Sequence, residues 1–268
     1  MRITPIFSLL LLLAFSCQQK SSHASEAIED GGEFVEYNNP PAEGFNQEGS
    51  DMLAMLLADK CMLAMGGREA WDQTRYIGWN FFGRRSHLWD KWTGDVRIEV
   101  PSKELTILMN IKSMQGRVQK EGEEVADSLG YFLQRGYEWW VNDAYWLVMP
   151  YKLKDSGVTL KYLREDTTQL GARADVVGMT FENVGVTPQN QYEVWIDMHS
   201  KLVTQWAFYP DSSATEPRFI TPWAGYEKYG DILLSGNRGD YNLSNIQVLK
   251  DVPKDVFRSF DQDIPAIL

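Results

Sequence analysis

The sequence is poor in the residues that build disulfide frameworks and metal centres. Its 268 residues include two cysteines, Cys17 and Cys61, and three histidines, none at a spacing typical of zinc ligands. It contains no Gly-x-Ser-x-Gly elbow, no His-Glu-x-x-His pair and no glycine-rich phosphate loop. Asp197 and His199 lie together, but hairpin geometry alone favours Asp there. We therefore expect no metal, no cofactor and no enzyme; a hydrolase site assembled only by folding is the least favoured alternative.

Positive charge is also in deficit. Lysine and arginine total 26 against 37 aspartates and glutamates, which gives a formal net charge of -11. Nucleic acids and anionic headgroups are bound through clustered basic side chains. The composition therefore predicts that nucleic acid is not a partner, and that no basic patch attaches the chain to a membrane.

Long apolar runs are absent as well. The longest, Ile6 to Leu13, is shorter than the ~20 residues that cross a bilayer, so residues 1–16 are expected to be a signal peptide. Small residues before Cys17 resemble the lipobox of bacterial lipoproteins, which implies acylation of Cys17 and a lipid anchor in the membrane. Gln18 favours the outer membrane, facing the periplasm. Ordinary secretion, with Cys17 left in the discarded peptide, remains the alternative.

The remaining chain divides by composition into a tether and one domain. Residues 17–49 are rich in Ser, Gln, Asn, Gly and Glu, which predicts a flexible tether. Residues 50–268 are predicted to form a single domain. It opens with a helix from Ser50 to Gly66 that is apolar almost all round. Its methionines fit either a buried core helix or the wall of an apolar cavity.

Alternating apolar and polar residues then predict a meander of antiparallel strands. The expected strands span 75–82, 85–92, 95–100, 104–111 and 116–119. Two helices are expected at 123–135 and 138–149, and further strands near Ala174 and at 191–196, 201–209, 227–235 and 243–249. The second helix is bounded by Gly136 and Pro150, so we interpret it as a hinged lid. Trp139 and Trp146 would face the cavity, and Asn142 and Asp143 would lie at its edge or outside.

Residues 140–160, and the hairpin of 194–197 with 201–202, resemble the periplasmic lipoprotein-carrier superfamily, which is LolA/LolB-like. The resemblance implies an α+β fold: a strongly curved antiparallel sheet, an open half-barrel, whose concave apolar face is covered by helices. It also implies a lipid, an acyl chain or a lipoprotein as the ligand, with other envelope proteins as further partners. A scaffold lipoprotein with a filled core is the alternative. The candidate ligand-binding residues are Met55, Leu56, Met62, Trp79, Phe81, Ile107, Met109, Trp139, Trp146, Trp195 and Trp206.

Overall fold

The computed structural model describes residues 29–30, 33–34, 37–182, 189–211, 213–262 and 264. The predicted signal peptide and Cys17 lie outside these residues. The chain divides into two units between Glu36 and Tyr37. In the first, strands β1 (Glu29–Asp30) and β2 (Glu33–Phe34) pair antiparallel. In the described part of the chain, no helix is long and apolar enough to cross a membrane.

The second unit begins before the predicted domain boundary. The Asn39 side chain donates to Asp59 at 2.8 Å, the Ala42 amide donates to the Lys154 carbonyl at 2.9 Å, and Phe45 is buried in the core. The flexible tether predicted to reach residue 49 is therefore wrong from Tyr37 onward. Its polar side chains do not stay solvated, because they find partners on the domain.

The larger sheet has nine antiparallel strands, and the predicted meander forms its central part. In spatial order the strands are β14 (Ala224–Tyr229), β15 (Ile232–Arg238), β16 (Tyr241–Leu249), β3 (Tyr76–Phe81), β4 (Arg85–Asp90), β5 (Asp95–Val100), β6 (Leu105–Asn110), β7 (Gln115–Lys120) and β8 (Glu123–Glu124). The strands β3 to β7 begin and end within two residues of the predicted strands, and β5 matches at both ends. β16 pairs with β3, which joins the last described strand of this sheet to the start of the meander.

The smaller sheet has five antiparallel strands, and neither sheet closes on itself. The hairpin predicted around Asp197 is confirmed at its centre. The edge strands on both sides were not predicted, since one is rich in charge and the other is short. In spatial order the strands are β13 (Phe219–Pro222), β12 (Val203–Tyr209), β11 (Gln191–Asp197), β10 (Arg173–Phe181) and β9 (Val158–Thr167).

Two helices precede the large sheet: α1 (Met52–Ala64) and α2 (Gly67–Gln73). α1 buries Ala54, Leu57, Ala58, Cys61 and Met62, so one of its faces belongs to the core. Between the two helices, Gly66 has a φ of 114°, and a Cβ there would lie 2.3 Å from the Asp231 carbonyl oxygen. Only glycine permits this connection.

A single helix, α3 (Leu129–Val148), replaces the two helices predicted at 123–135 and 138–149. The first prediction is wrong at its start, where Glu123 and Glu124 pair with β7 as the edge strand β8. The predicted hinge at Gly136 is also wrong. A Cβ at Gly136 would lie 3.1 Å from side-chain atoms of Ile107 and Met109 on β6, so glycine lets the helix approach the sheet closely.

Two 3-10 turns complete the regular structure of the described residues, one at Pro101–Lys103 and one at Met149–Lys152. The second continues directly from α3. Tyr151, in that turn, donates its hydroxyl proton at 2.9 Å to the carbonyl of Met65 and stacks on Trp71 at 4.3 Å. The end of α3 is thereby attached to the end of α1.

Candidate functional site

A cavity of about 630 Å³ lies between α3 and the five-stranded sheet. This volume falls within the ~300 to 1,000 Å³ typical of small-molecule sites. Its wall is dominated by aromatic rings, which offer large apolar surfaces with few hydrogen-bonding groups. The aromatic residues that line it are Trp89, Tyr137, Trp140, Tyr145, Trp146, Phe181, Tyr192, Trp206, Phe208 and Phe219.

The sheet side of the wall follows from strand alternation and register. Trp206 and Phe208 are two residues apart on β12 and share a face. Tyr192 on β11 and Phe219 on β13 each lie opposite Phe208. The Tyr192 and Trp206 rings stack at 5.0 Å between centroids, with 6° between their planes. Three neighbouring strands therefore present one continuous aromatic surface.

The helix side follows from helical periodicity. Tyr137, Val141, Ala144 and Val148 recur at three- or four-residue spacing and line the cavity. Because α3 rises 1.5 Å per residue, the lined stretch from 135 to 148 is about 20 Å long. One lipid tail spans half of a hydrocarbon core of ~30 Å, or about 15 Å. The cavity is therefore long enough to hold such a tail.

Charge is confined to two ion pairs in the lining. Arg135 pairs with Glu138 at 2.9 Å on the exposed side of α3, and Lys152 pairs with Asp155 in the segment after the helix. Hydrogen bonds from Gln134 and Arg135 lower the pKa of Glu138. The four charged groups are thus matched one to one at the rim.

The two half-buried tyrosines of the wall, Tyr145 and Tyr192, carry no charge near neutral pH. Burial raises the pKa of Tyr145 well above its usual value, and it raises the pKa of Tyr192 to about 12. The Tyr145 hydroxyl donates to the sulfur of Met179 at 3.2 Å. Both phenols therefore act as neutral parts of an apolar wall.

Below the cavity, a buried ion cluster attaches α3 to the large sheet. Asp143 is fully buried and accepts two hydrogen bonds from Arg85, at 2.6 and 2.8 Å. It also accepts one from His87 Nε2 at 2.7 Å; since a carboxylate only accepts, this nitrogen carries the proton. Asn142 is exposed, as expected. Asp143 does not line the cavity, as predicted, but its partners on β4 hold it in the interior of the domain and not at the surface.

The C-terminal end of α3 needs a substitute hydrogen-bond donor. The helix would pair the Trp146 carbonyl with the amide of residue 150, but Pro150 has no N–H. Arg238 Nη2 donates to that carbonyl instead, at 2.7 Å. The guanidinium is buried 3.5 Å from the Trp223 ring centroid, and burial lowers its pKa to about 9. Arg238 therefore fixes the position of Trp146 in the wall.

Of the eleven candidate ligand-binding residues, only Trp146 and Trp206 line this cavity. Trp139 instead lies 5.2 Å from the Arg85 guanidinium, and Trp195 belongs to a separate cluster with Ala174, Val176 and Ala207. The remaining seven are half-buried or buried, and all of them except Leu56 pack in the main core: Met55, Leu56, Met62, Trp79, Phe81, Ile107 and Met109.

Sequence reasoning missed most of the wall, although part of the signal was present. Trp206 and Phe208 alternate on one strand, and Tyr192 stands across the predicted hairpin from them. Phe181 and Phe219 lie on strands whose pairing depends on distant parts of the chain. In the described residues, no cluster of His, Cys, Asp and Glu could hold a metal ion.

Two solved structures are similar to this chain. One, a DUF1329 family protein from Desulfovibrio piger, has 12% sequence identity and a TM-score of 0.42, and the match covers 76% of this chain and 96% of that one. The other, a LolA superfamily protein from Nitrosomonas europaea, has 12% identity and a TM-score of 0.31, and the match covers 77% and 97%. The second bears the superfamily name that the sequence resemblance suggested. No family model matches the sequence, and no curated protein does.

Proposed function

We propose that this protein binds a lipid or acyl chain in the cavity between α3 and the five-stranded sheet. The observation that carries the proposal is the wall itself: about 630 Å³ lined by ten aromatic side chains, with charge confined to two ion pairs. Transfer of apolar surface from water into such a wall is favourable by ~25 cal/mol per Å². A binding role fits this lining better than an enzymatic one, because the described residues of the wall include no nucleophile activated by a neighbouring base.

The proposal extends to the architecture and to the place of action. The two open sheets act as a curved half-barrel, and α3 covers its concave apolar face. The signal peptide of residues 1–16 directs the chain out of the cytoplasm, and acylated Cys17 anchors it in the outer membrane, facing the periplasm. The scaffold alternative, in which the same face is a filled core, is disfavoured by the volume of the cavity.

A cavity-filling variant tests the binding role. Val141 lines the cavity on α3 and is half-buried, so Val141→Trp should occupy part of the space where a chain would lie. We expect uptake of an uncharged fluorescent lipid, a pyrene-labelled fatty acid methyl ester, to fall at least tenfold. Gln134→Trp, on the exposed side of the same helix, is the matched control and should bind normally. Equal uptake by both variants and the wild type would contradict the proposed site.

The anchor is tested separately by Cys17→Ser. Nothing in the predicted mature chain supplies a membrane span or a basic amphipathic surface, so the anchor depends on acyl chains on this cysteine. We expect the variant to leave the membrane fraction or to keep its signal peptide. Normal processing with wild-type membrane retention would exclude lipidation at Cys17 and leave the cavity proposal untouched.

A further inference from the structure

The lining of the cavity includes two indole groups with an unused hydrogen-bond donor. Trp89 on β4 and Trp140 on α3 both line the cavity, and their rings meet edge to face with centroids 5.3 Å apart. The Nε1 atom of each is buried and has no hydrogen-bond partner among the described residues. Trp206 differs, because its Nε1 already donates to Thr221 Oγ1 at 2.7 Å.

An unpaired buried donor is costly, and a ligand that supplies an acceptor removes that cost. A simple hydrocarbon chain has no acceptor. A carbonyl oxygen has two lone pairs and can accept from both indoles. The pair of tryptophans thus favours a ligand whose chain is joined to its head through a carbonyl group.

The rim restricts the charge of the head. Arg135 is matched by Glu138, and Lys152 is matched by Asp155, so the lining contains no spare cation for an anionic head. A carboxylate brought here would lose water without gaining a free counter-ion. An ester head with no net charge avoids that penalty.

We propose that the cavity selects an acyl ester without net charge, whose carbonyl accepts hydrogen bonds from the indole N–H groups of Trp89 and Trp140. The inference rests on the proposed lipid-binding function and names its ligand class. The acyl chain lies along α3 against the aromatic wall. The head lies at the rim beside the two ion pairs.

The test compares three probes with the same chain length: 1-monopalmitoylglycerol, its ether analogue 1-O-hexadecylglycerol, and palmitate. Direct binding of tritiated ether is measured first, and the other two compete against it at pH 8. We expect the ester to bind about five- to tenfold tighter than the ether, the effect of one or two uncharged hydrogen bonds. Palmitate should bind at least tenfold more weakly than the ester.

Variants identify the donors. Trp89→Phe/Trp140→Phe keeps two rings but removes both N–H groups, so the ester and ether should bind equally. The single Trp140→Phe variant, at a half-buried position, covers the case in which the double variant fails to fold. Trp195→Phe is the control and should keep the wild-type ratio, since Trp195 lies outside the cavity and its N–H already donates to Asp166.

The outcomes separate the two proposals. If the wild type does not retain the ether, the lipid-binding function itself fails. If the ether is retained but the wild type binds ester and ether equally, the carbonyl contact is wrong. An ester preference that survives in the double variant overturns the assignment to these two tryptophans, and tighter binding of palmitate overturns the selection against charge.

Discussion

Asp143→Ala is expected to destabilise the domain strongly. The Asp143 side chain is fully buried, and the Arg85 side chain that it binds is only 15% exposed. Breaking a buried pair by removing one partner costs about 3–5 kcal/mol. Arg85 keeps some contact with water, so we expect the lower end, about 3 kcal/mol. For a domain of this size, that corresponds to a fall in Tm of about 6–12 °C.

The stability lost in Asp143→Ala should depend on pH in a defined direction. Burial raises the pKa of Asp143, but hydrogen bonds and charge from His87 and Arg85 outweigh it, so the folded pKa lies below the usual value of 3.8. The contribution of Asp143 to stability is therefore fully present above pH 3.8 and is lost as the pH falls through the folded pKa. The wild type and the variant should differ most near neutral pH and converge in acid.

Thermal melts followed by circular dichroism measure both effects. Asp143→Asn keeps the shape of the side chain without its charge and separates charge from packing. Gln134→Ala, on the exposed side of α3, should shift the unfolding free energy by no more than about 0.5 kcal/mol. At neutral pH, the Tm of Asp143→Ala should lie about 6–12 °C below that of the wild type. A difference in Tm of less than about 2 °C would refute the expected role of Asp143. A difference that stays constant as the pH falls through the acid transition would refute the expected role of its charge.

Three further predictions concern α3 and the core. Gly136→Val should lower the free energy of unfolding by about 1–3 kcal/mol in a urea titration, because the new side chain meets Ile107 and Met109. Gly130→Ala, with nothing within 4 Å of the new Cβ, should raise it by about 0.4–1 kcal/mol. Equal effects of the two substitutions would contradict the close approach of α3 to β6 at Gly136. Arg238→Ala should lower the free energy of unfolding by about 1–3 kcal/mol in the same assay, since it leaves the part-buried Trp146 carbonyl without a donor. A loss under about 0.5 kcal/mol would show that this bond is dispensable. Burial raises the pKa of Cys61 to about 12, so in a Cys17→Ser chain its thiol should react with Ellman's reagent at pH 8 only after denaturation, and rapid labelling of the native protein would contradict its burial.

The local parts of the fold were predictable from sequence because their signals are local. β5 alternates Val96, Ile98 and Val100 with charged residues and is bounded by a turn at each end, so both of its limits could be placed. The helix boundaries failed for a different reason. Gly136 is a break signal in isolation, and only its contact with β6 shows why a glycine lies inside a helix.

The candidate site was less predictable because its residues come from distant segments. Trp146 and Trp206 were expected at the cavity, and they meet edge to face at 4.9 Å. Trp139, seven residues before Trp146, instead contacts cationic side chains, among them Arg85. A straight α-helix drifts by about 20° over seven residues. That drift, together with the inward pull on Asp143 by its partners on β4, separates the environments of the two tryptophans.

The pairing of β16 with β3 determines when the large sheet can be completed during synthesis. During synthesis, β3 is the first of the nine described strands of the large sheet to be made, and β16 is the last. Until they appear, one edge of β3 remains open, and an open edge is a template for pairing with other chains. Pairings between such distant segments also form slowly. The nascent chain therefore has to be kept from aggregating until β16 has been made and can pair with β3.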